Sequence, residues 1–251
     1  GVSRVEFYAP GASTPFASDA TPPYETTVTV PSNQAVGTDY VVRARALDPA
    51  NHSNELLVRY SVRAGTRIVA PMTISATNLS FEDQVLAVNS SLVIEGHHRF
   101  AALLVLTDSV SAMSSGTTTE PVPLALEVSG DVYVGCGASV SASSRGYANG
   151  KTFALEPLPG TGGGVHAGRG FGGTGAPHGS PIHPVAAGSG AEGSWVSSSP
   201  GGGAIHIAAL SGVVIDGSVL SNGFGRGAGG SVFLEAAGLA GGGRVEAQGG
   251  A

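Results

Sequence analysis

The sequence predicts an all-β chain in which a β-sandwich segment is followed by a right-handed parallel β-helix with a long Gly-rich loop. Three observations predict it. Apolar and polar residues alternate with a period of two near the N-terminus, a short strand-and-turn pattern recurs three times, and helical periodicity is almost absent. With 41% apolar residues, the chain can bury a core despite its 40 glycines, so it is not predicted to be disordered.

The repeat is the strongest of these observations. Each copy is a short strand that runs into a Gly-rich turn, and the copies are residues 139–142, 218–223 and 244–249. A second strand precedes the last two copies. It aligns Ile205 with Val232 at an offset of 27 residues, while Val219 aligns with Val245 at an offset of 26. Repetition at this spacing is typical of stacked coils, in which each unit needs its neighbours to bury its apolar face.

Residues 1–65 form the first predicted segment. Alternating residues predict half-buried antiparallel strands near residues 5–7, 24–30, 40–46 and 56–62, separated by turns rich in Pro and Asn. Such a succession of strands and turns is typical of a β-sandwich.

Four stretches of this segment carry a resemblance to a known family. They are GVSRVEFY at 1–8, ATPPY at 20–24, YVVRARALD at 40–48 and DPANHS at 48–53. They resemble the third strand, a T-x-P-Y turn, the Tyr-corner strand and a D-x-A-G-N-x-S turn of the bacterial immunoglobulin-like modules of secreted surface proteins, although the Gly of that last turn is missing. Because the match starts mid-module, we expect a truncated sandwich cut from a longer polypeptide, with an exposed edge and part of its core uncovered.

Residues 66–251 are predicted to form the parallel β-helix. Short apolar strands separated by Asn, Ser, Asp and Gly recur about once per 20 to 30 residues, as stacked coils do. A second antiparallel sandwich is the alternative architecture.

A Gly- and Pro-rich stretch at 145–203 interrupts the strand pattern. A flexible linker is one interpretation. We favour an ordered or semi-ordered excursion from one coil, because the repeat resumes in phase at Gly203. The motifs SRGY at 144–147, HGSPIHP at 178–184 and GSG at 188–190 make residues 124–251 similar to the Gly-rich β-helix repeat region of large secreted adhesin-like surface proteins. That resemblance implies stalk or adhesive parts of exported proteins, and the closing AQGG predicts that another coil follows.

Composition and motifs argue against several functions. The net charge of −6 and a single Lys predict no nucleic-acid partner, and the longest apolar run is too short for membrane insertion. A G-x-G-x-x-G match at 170–175 and a shortened phosphate-loop pattern at 146–152 lack the flanking strand and helix that nucleotide binding requires, so we predict no cofactor. The single cysteine, Cys136, excludes an internal disulfide, and its small flanking residues predict a buried, unreactive side chain.

Histidines offer the candidate metal ligands. His166, His178 and His183 fall within the Gly-rich stretch, and three imidazoles can hold a metal with an open position. His97 and His98 beside Glu95 invite the same hypothesis. No firm ligand spacing supports either set, so we predict exposed loop histidines and no metal.

Carboxylates are candidates for a catalytic pair. Enzymatic β-helices bring charged residues together on one outward strand face, and glycoside hydrolysis uses two carboxylates. Glu127 with Asp131, and Asp216 with Glu235, are pairs that can lie on neighbouring coils. Nothing in the sequence singles out either pair.

The sequence therefore predicts no enzyme. We expect a structural or adhesive segment of an exported bacterial protein, extracellular or at the cell surface, with polysaccharide or another cell surface as its partner and flanking domains in a longer chain. A β-helix polysaccharide lyase or glycoside hydrolase fragment and a passive spacer without ligand are the alternatives. Three or more charged side chains in one groove would favour the enzyme.

Overall fold

Strands account for the regular structure of the computed structural model, which describes residues 1–31, 33–112, 120–158, 162–168, 172–173, 175–191 and 199–250. Within these residues the only helical element is a single 3₁₀ turn at Phe153–Leu155. The strands are β1 Arg4–Tyr8, β2 Ala17–Asp19, β3 Asp39–Leu47, β4 Ser53–Ser61, β5 Thr66–Ile68, β6 Met72–Ile74, β7 Val85–Val88, β8 Leu92–Ile94, β9 His97–Phe100, β10 Ala102–Val105, β11 Ser109–Ala112, β12 Leu124–Val128, β13 Val132–Val134, β14 Ser139–Ser141, β15 Ala204–Ile215, β16 Ser218–Leu220, β17 Ser231–Ala240 and β18 Arg244–Glu246. The predicted all-β class is confirmed.

The chain divides into two compact units, Gly1–Ala64 and Gly65–Ala251. None of the described helical segments is long and apolar enough to cross a membrane.

The first unit is built on a four-stranded antiparallel sheet in the order β2-β1-β3-β4. Tyr8, Val42 and Leu47 are its best-buried apolar side chains. Strand β4 lies at the edge and is exposed over almost its whole length, and Leu56 is 65% exposed. The sheet therefore leaves apolar side chains and an unpaired strand edge uncovered.

The predicted strand at residues 24–30 is wrong. The partner of β1 on that side is β2, which ends at Asp19. The Asp19 carboxylate accepts hydrogen bonds from the backbone N–H groups of Thr21 and Glu25, at 3.0 Å each. This turn, together with two prolines that lack N–H groups, takes the chain out of the sheet before the alternating residues begin.

The second unit winds through two parallel sheets. Its strands fall into three strips, each formed by successive coils. The first strip is β9, β12 and the first halves of β15 and β17, the second is β5, β7, β10, β13 and the second halves of β15 and β17, and the third is β6, β8, β11, β14, β16 and β18. All the pairings are parallel, and the chain visits the strips in turn.

Register aligns the inward residues of successive coils into apolar ladders. The pairing puts Leu103 beside Val132 and Val132 beside Val213, and all three are at most 1% exposed. The third strip repeats this with a ladder of Leu92, Val110, Val140 and Val219. Because each side chain is packed above and below by its ladder neighbours, the core is continuous through the stack.

The alignment predicted from the repeat is confirmed. Ile205 pairs with Val232, and Val219 pairs with Val245. The excursion leaves after β14 and returns at β15 without loss of register, and the Gly203 N–H donates to the Ala142 carbonyl oxygen at 2.7 Å where it closes.

Backbone hydrogen bonds bind much of the excursion into what we call the glycine bundle. It consists of segments 144–150, 162–165, 186–191, 199–203 and 221–230. Each segment bonds to at least two others, through pairs that include Gly146 N to Gly201 O, Tyr147 N to Gly188 O, Gly202 N to Ala228 O, Ala228 N to Ser189 O and Gly164 N to Arg226 O. The bundle thus joins the excursion to the corner of the following coil.

Glycine is required in the bundle because its backbones lie almost in contact. A Cβ at Gly201 would overlap the carbonyl oxygen of Gly188, and one at Gly188 would overlap that of Gly229. The same holds where Gly227 faces the Pro200 carbonyl. As in the collagen triple helix, only a residue without a side chain fits such an approach.

Cys136 is exposed, so the prediction that it is buried is wrong. It occupies the corner after β13, between Gly135 and Gly137. The next inward residue is Ala138, which is 1% exposed. The corner therefore turns the thiol outward.

We expect Gly201→Ala to destabilise the second unit by about 2 kcal/mol, because its methyl group overlaps a backbone that cannot move without breaking hydrogen bonds. The measurement is the urea dependence of unfolding. Gly168→Ala is the matched control, since a Cβ there meets nothing within 4 Å. Equal stability of the two variants would contradict the close-packed bundle.

Candidate ligand-binding groove

The outward face of the first strip carries most of the charged and aromatic side chains that the coils bring together. Alternation along each strand sends every second residue outward, and register stacks these residues in two columns. One column is His97, Ala125, His206 and Phe233, and the other is Arg99, Glu127, Ala208 and Glu235.

The columns border an open groove of about 560 Å³, and its lining residues include Asp83, Arg99, Glu127, His206, Leu210 and Glu235. The other grooves in the described structure include two in the first unit, of about 360 and 260 Å³, and Arg43 is the one charged residue in their linings. The groove on the first strip is the better candidate site because it combines volume with several charged groups.

Each carboxylate of the groove has a basic partner. Asp83 Oδ2 accepts from Arg99 Nη2 at 3.0 Å, Glu127 Oε1 lies 3.1 Å from His97 Nε2, and Glu235 Oε2 lies 2.6 Å from His206 Nε2. The Glu127 and Glu235 side chains remain 57% and 53% exposed. Both carboxylates are therefore held in place but open to a ligand.

An aromatic platform adjoins these charges. The Phe233 ring stacks on the His206 imidazole, with centroids 5.0 Å apart and planes inclined by 23°. His183, from the excursion, lies 4.9 Å from Phe233. Ser231 Oγ donates to the Ala186 carbonyl oxygen at 2.6 Å and fixes the excursion beside this strip.

The two histidines of β9 have opposite surroundings. His97 points into the solvent-facing column, whereas His98 is 1% exposed and lies inside the coil. Its Nδ1 is 2.7 Å from Glu82 Oε1, and its Nε2 has no hydrogen-bond partner in the described structure. Glu95 is not the partner of either ring, so the adjacency in sequence was misleading.

The three candidate metal ligands do not converge. His166 and His178 lie together with ring centroids 5.2 Å apart, while His183 belongs to the aromatic platform. In the part of the chain that the structure describes, no group of three or more His, Cys, Asp or Glu side chains is placed to hold a metal ion.

The environment of His166 and His178 is tightly packed. His178 Nε2 contacts the Ala187 carbonyl oxygen at 2.9 Å, and the Tyr147 ring meets its imidazole edge-on. Burial, and then the neighbouring His178, lower the pKa of His166. Burial also raises the pKa of Tyr147, with a contribution from its hydrogen bond to Glu120.

Neither of the two carboxylate pairs considered from the sequence is aligned across neighbouring coils. Glu127 and Asp131 lie on the same coil, on either side of the corner between β12 and β13, where Asp131 accepts from the Gly212 N–H at 3.1 Å. Asp216 lies at the corner that leads to β16, whereas Glu235 is aligned with Ala208 and Glu127. The structure instead places Glu127 and Glu235 in one column, two coils apart.

Several residues of the groove and of the adjoining platform were not singled out from the sequence, among them Arg99, His206 and Phe233. The signal lay in the repeat, since the offset of 27 residues aligns Ala208 with Glu235 as it aligns Ile205 with Val232. The G-x-G-x-x-G match includes residues outside the described structure. Comparison of the chain with protein-family models, curated proteins and solved structures finds no match in any of the three.

We expect acid to destabilise the protein through His166. The folded protein holds this proton less tightly than the unfolded chain, whose ordinary pKa is 6.5. Unfolding therefore takes up a proton as the pH falls from that value toward the lowered folded pKa, and stability declines over that window.

The measurement is the urea midpoint at about pH 8 and at about pH 5.5. His166→Gln should reduce the loss of stability on acidification, and its own midpoint at the higher pH sets the baseline for the substitution itself. An unchanged acid sensitivity in the variant would contradict the assignment.

Proposed function

We propose that this chain is a non-catalytic structural and adhesive segment of an exported bacterial cell-surface protein, with its site of action outside the cell. The second unit is a right-handed parallel β-helical stalk, and the first is a truncated immunoglobulin-like sandwich that serves as a spacer. The stalk presents the groove of the first strip to polysaccharide or to another cell surface.

The architecture supports the stalk. Each coil pairs in parallel with the next in three strips around a continuous apolar core. Parallel crossover connections are right-handed in nearly all proteins, which supports that handedness here. The uncovered edge of β4 in the first unit agrees with a sandwich that lacks strands.

The observation that carries the adhesive function is the groove itself. Polysaccharides are bound by flat rings that stack on sugar faces and by polar groups that accept hydroxyl hydrogen bonds. The Phe233–His206 platform and the half-exposed Glu127 and Glu235 supply both chemistries. A passive spacer would have no use for such a surface.

We expect a carbohydrate array to detect binding by the intact chain, and we expect Phe233→Ala to weaken that binding about tenfold through loss of ring stacking. Tyr133→Ala is the matched control, because it removes an outward aromatic ring from another strip. Uniform absence of binding would leave only the spacer function.

Glycoside hydrolysis is the second candidate, favoured by the alignment of Glu127 with Glu235. Their backbones are separated by about 9.6 Å, twice the spacing of paired strands. This backbone spacing, from which the side chains extend, lies just above the range of carboxyl separations in inverting enzymes, about 6.5–9.5 Å. We rank it second because both side chains are more than half exposed, whereas a glycosidase general acid is usually desolvated.

An assay for new reducing ends on the polysaccharides that bind tests this candidate. Hydrolysis that disappears in both Glu127→Gln and Glu235→Gln would establish it and displace the non-catalytic proposal. Binding without product, at prolonged incubation, would eliminate it.

A further inference from the structure

The groove has an excess of negative charge, and this excess indicates the charge of the ligand that it binds. It is lined by three carboxylates, those of Asp83, Glu127 and Glu235, and by one guanidinium, that of Arg99. The Arg99–Asp83 hydrogen bond pairs the guanidinium with one carboxylate. The carboxylates of Glu127 and Glu235 pair with the imidazoles of His97 and His206, and the carboxylates and the guanidinium of the lining together carry a charge of about −2.

Such a groove repels anionic chains. A polyuronate would bring one more carboxylate with each sugar toward Glu127 and Glu235, and the protein as a whole carries a net charge of −6. Like charges brought into apposition oppose binding, whereas a cationic ligand would be attracted and steered toward the groove.

The spacing of the two half-exposed carboxylates, those of Glu127 and Glu235, fits a repeating ligand. Glu127 and Glu235 are in one column, separated by the single coil of Ala208 and by about 9.6 Å of backbone. This is roughly the span of a disaccharide in an extended chain. The small Ala208 side chain between them leaves room for a sugar ring.

We propose that the groove binds a polysaccharide with free amino groups, a hexosamine polymer, whose ammonium groups contact Glu127 and Glu235. Phe233, His206 and His183 stack on the adjoining sugar face. The inference rests on the proposed adhesive function and names its ligand class.

The test compares four probes at low ionic strength by isothermal titration calorimetry: a glucosamine hexamer, its N-acetylated counterpart, an oligogalacturonate of equal length, and spermine. We expect the glucosamine hexamer to bind at least about tenfold more tightly than either other oligosaccharide, and added salt to weaken it. Spermine should bind weakly, since it offers ammonium groups without a flat face.

The double variant Glu127→Gln/Glu235→Gln should lose about tenfold in affinity for the glucosamine hexamer, the order expected for two partly exposed charge interactions. Glu156→Gln, an exposed carboxylate of the excursion outside the groove lining, is the matched control and should retain full affinity. Thermal melting of each variant establishes that the fold is retained.

The outcomes separate the two proposals. Equal binding of the acetylated oligomer, with no effect of the double variant, would overturn the amino-sugar inference and leave the adhesive function intact. If spermine binds as tightly as the glucosamine hexamer and its binding does not depend on Phe233, the groove is a general cation site. That result would also overturn the amino-sugar inference. Binding of no glycan, here or on the array, would refute the adhesive function itself.

Discussion

In-register hydrogen bonding between parallel coils is the constraint on which the second unit depends. A shift of one residue between coils would turn every inward side chain of a strip outward. The inward ladder from Leu126 through Ile207 to Leu234 and the outward column that contains Glu127 and Glu235 are therefore two results of the same register. Each strand of the first strip therefore supplies inward side chains to the core and outward side chains to the groove face.

The glycine bundle shows how a chain can depart from this register and return to it. Parallel coils tolerate an excursion only if its two ends meet, and the bond between Gly203 and Ala142 brings them together. The bundle then satisfies buried backbone groups without strands or helices, through single hydrogen bonds among several segments. A buried backbone N–H or C=O group without a hydrogen-bond partner would cost free energy. The hydrogen bonds among the segments avoid this cost, which explains how glycines without apolar side chains of their own can pack together.

Sequence reasoning succeeded where the pattern had a period. Alternation predicted the strands, and the offsets of 26 and 27 residues predicted the pairing of the last two coils. It failed at residues 24–30, where alternation was present but the Asp19 turn and two prolines took the chain away from the sheet. It failed at Cys136 because a corner, unlike a strand, has no alternation from which side-chain direction can be inferred.

The candidate site was harder to predict for a related reason. The groove joins β9, β12, β15 and β17, and the step from Ala125 to His206 crosses the whole excursion. An offset of that length carries no periodic signal of its own. Glu127 and Glu235 can be aligned only through Ala208, by combining the pairing of β12 with β15 and the pairing of β15 with β17, which have different sequence offsets. The hypotheses made from the sequence instead compared carboxylates that are near one another along the chain.

The close packing of the Gly-rich segment restricts which of its positions can be substituted during evolution. Low-complexity sequence is usually regarded as permissive to mutation, yet Gly188, Gly190 and Gly201 each face a carbonyl that excludes any larger residue. Positions at the outer tip, such as Ile182 at 88% exposure, have no such restriction. Within one stretch of similar composition, we therefore expect natural sequences to keep the inner glycines and to vary at the exposed positions. Composition alone does not indicate which positions accept substitutions.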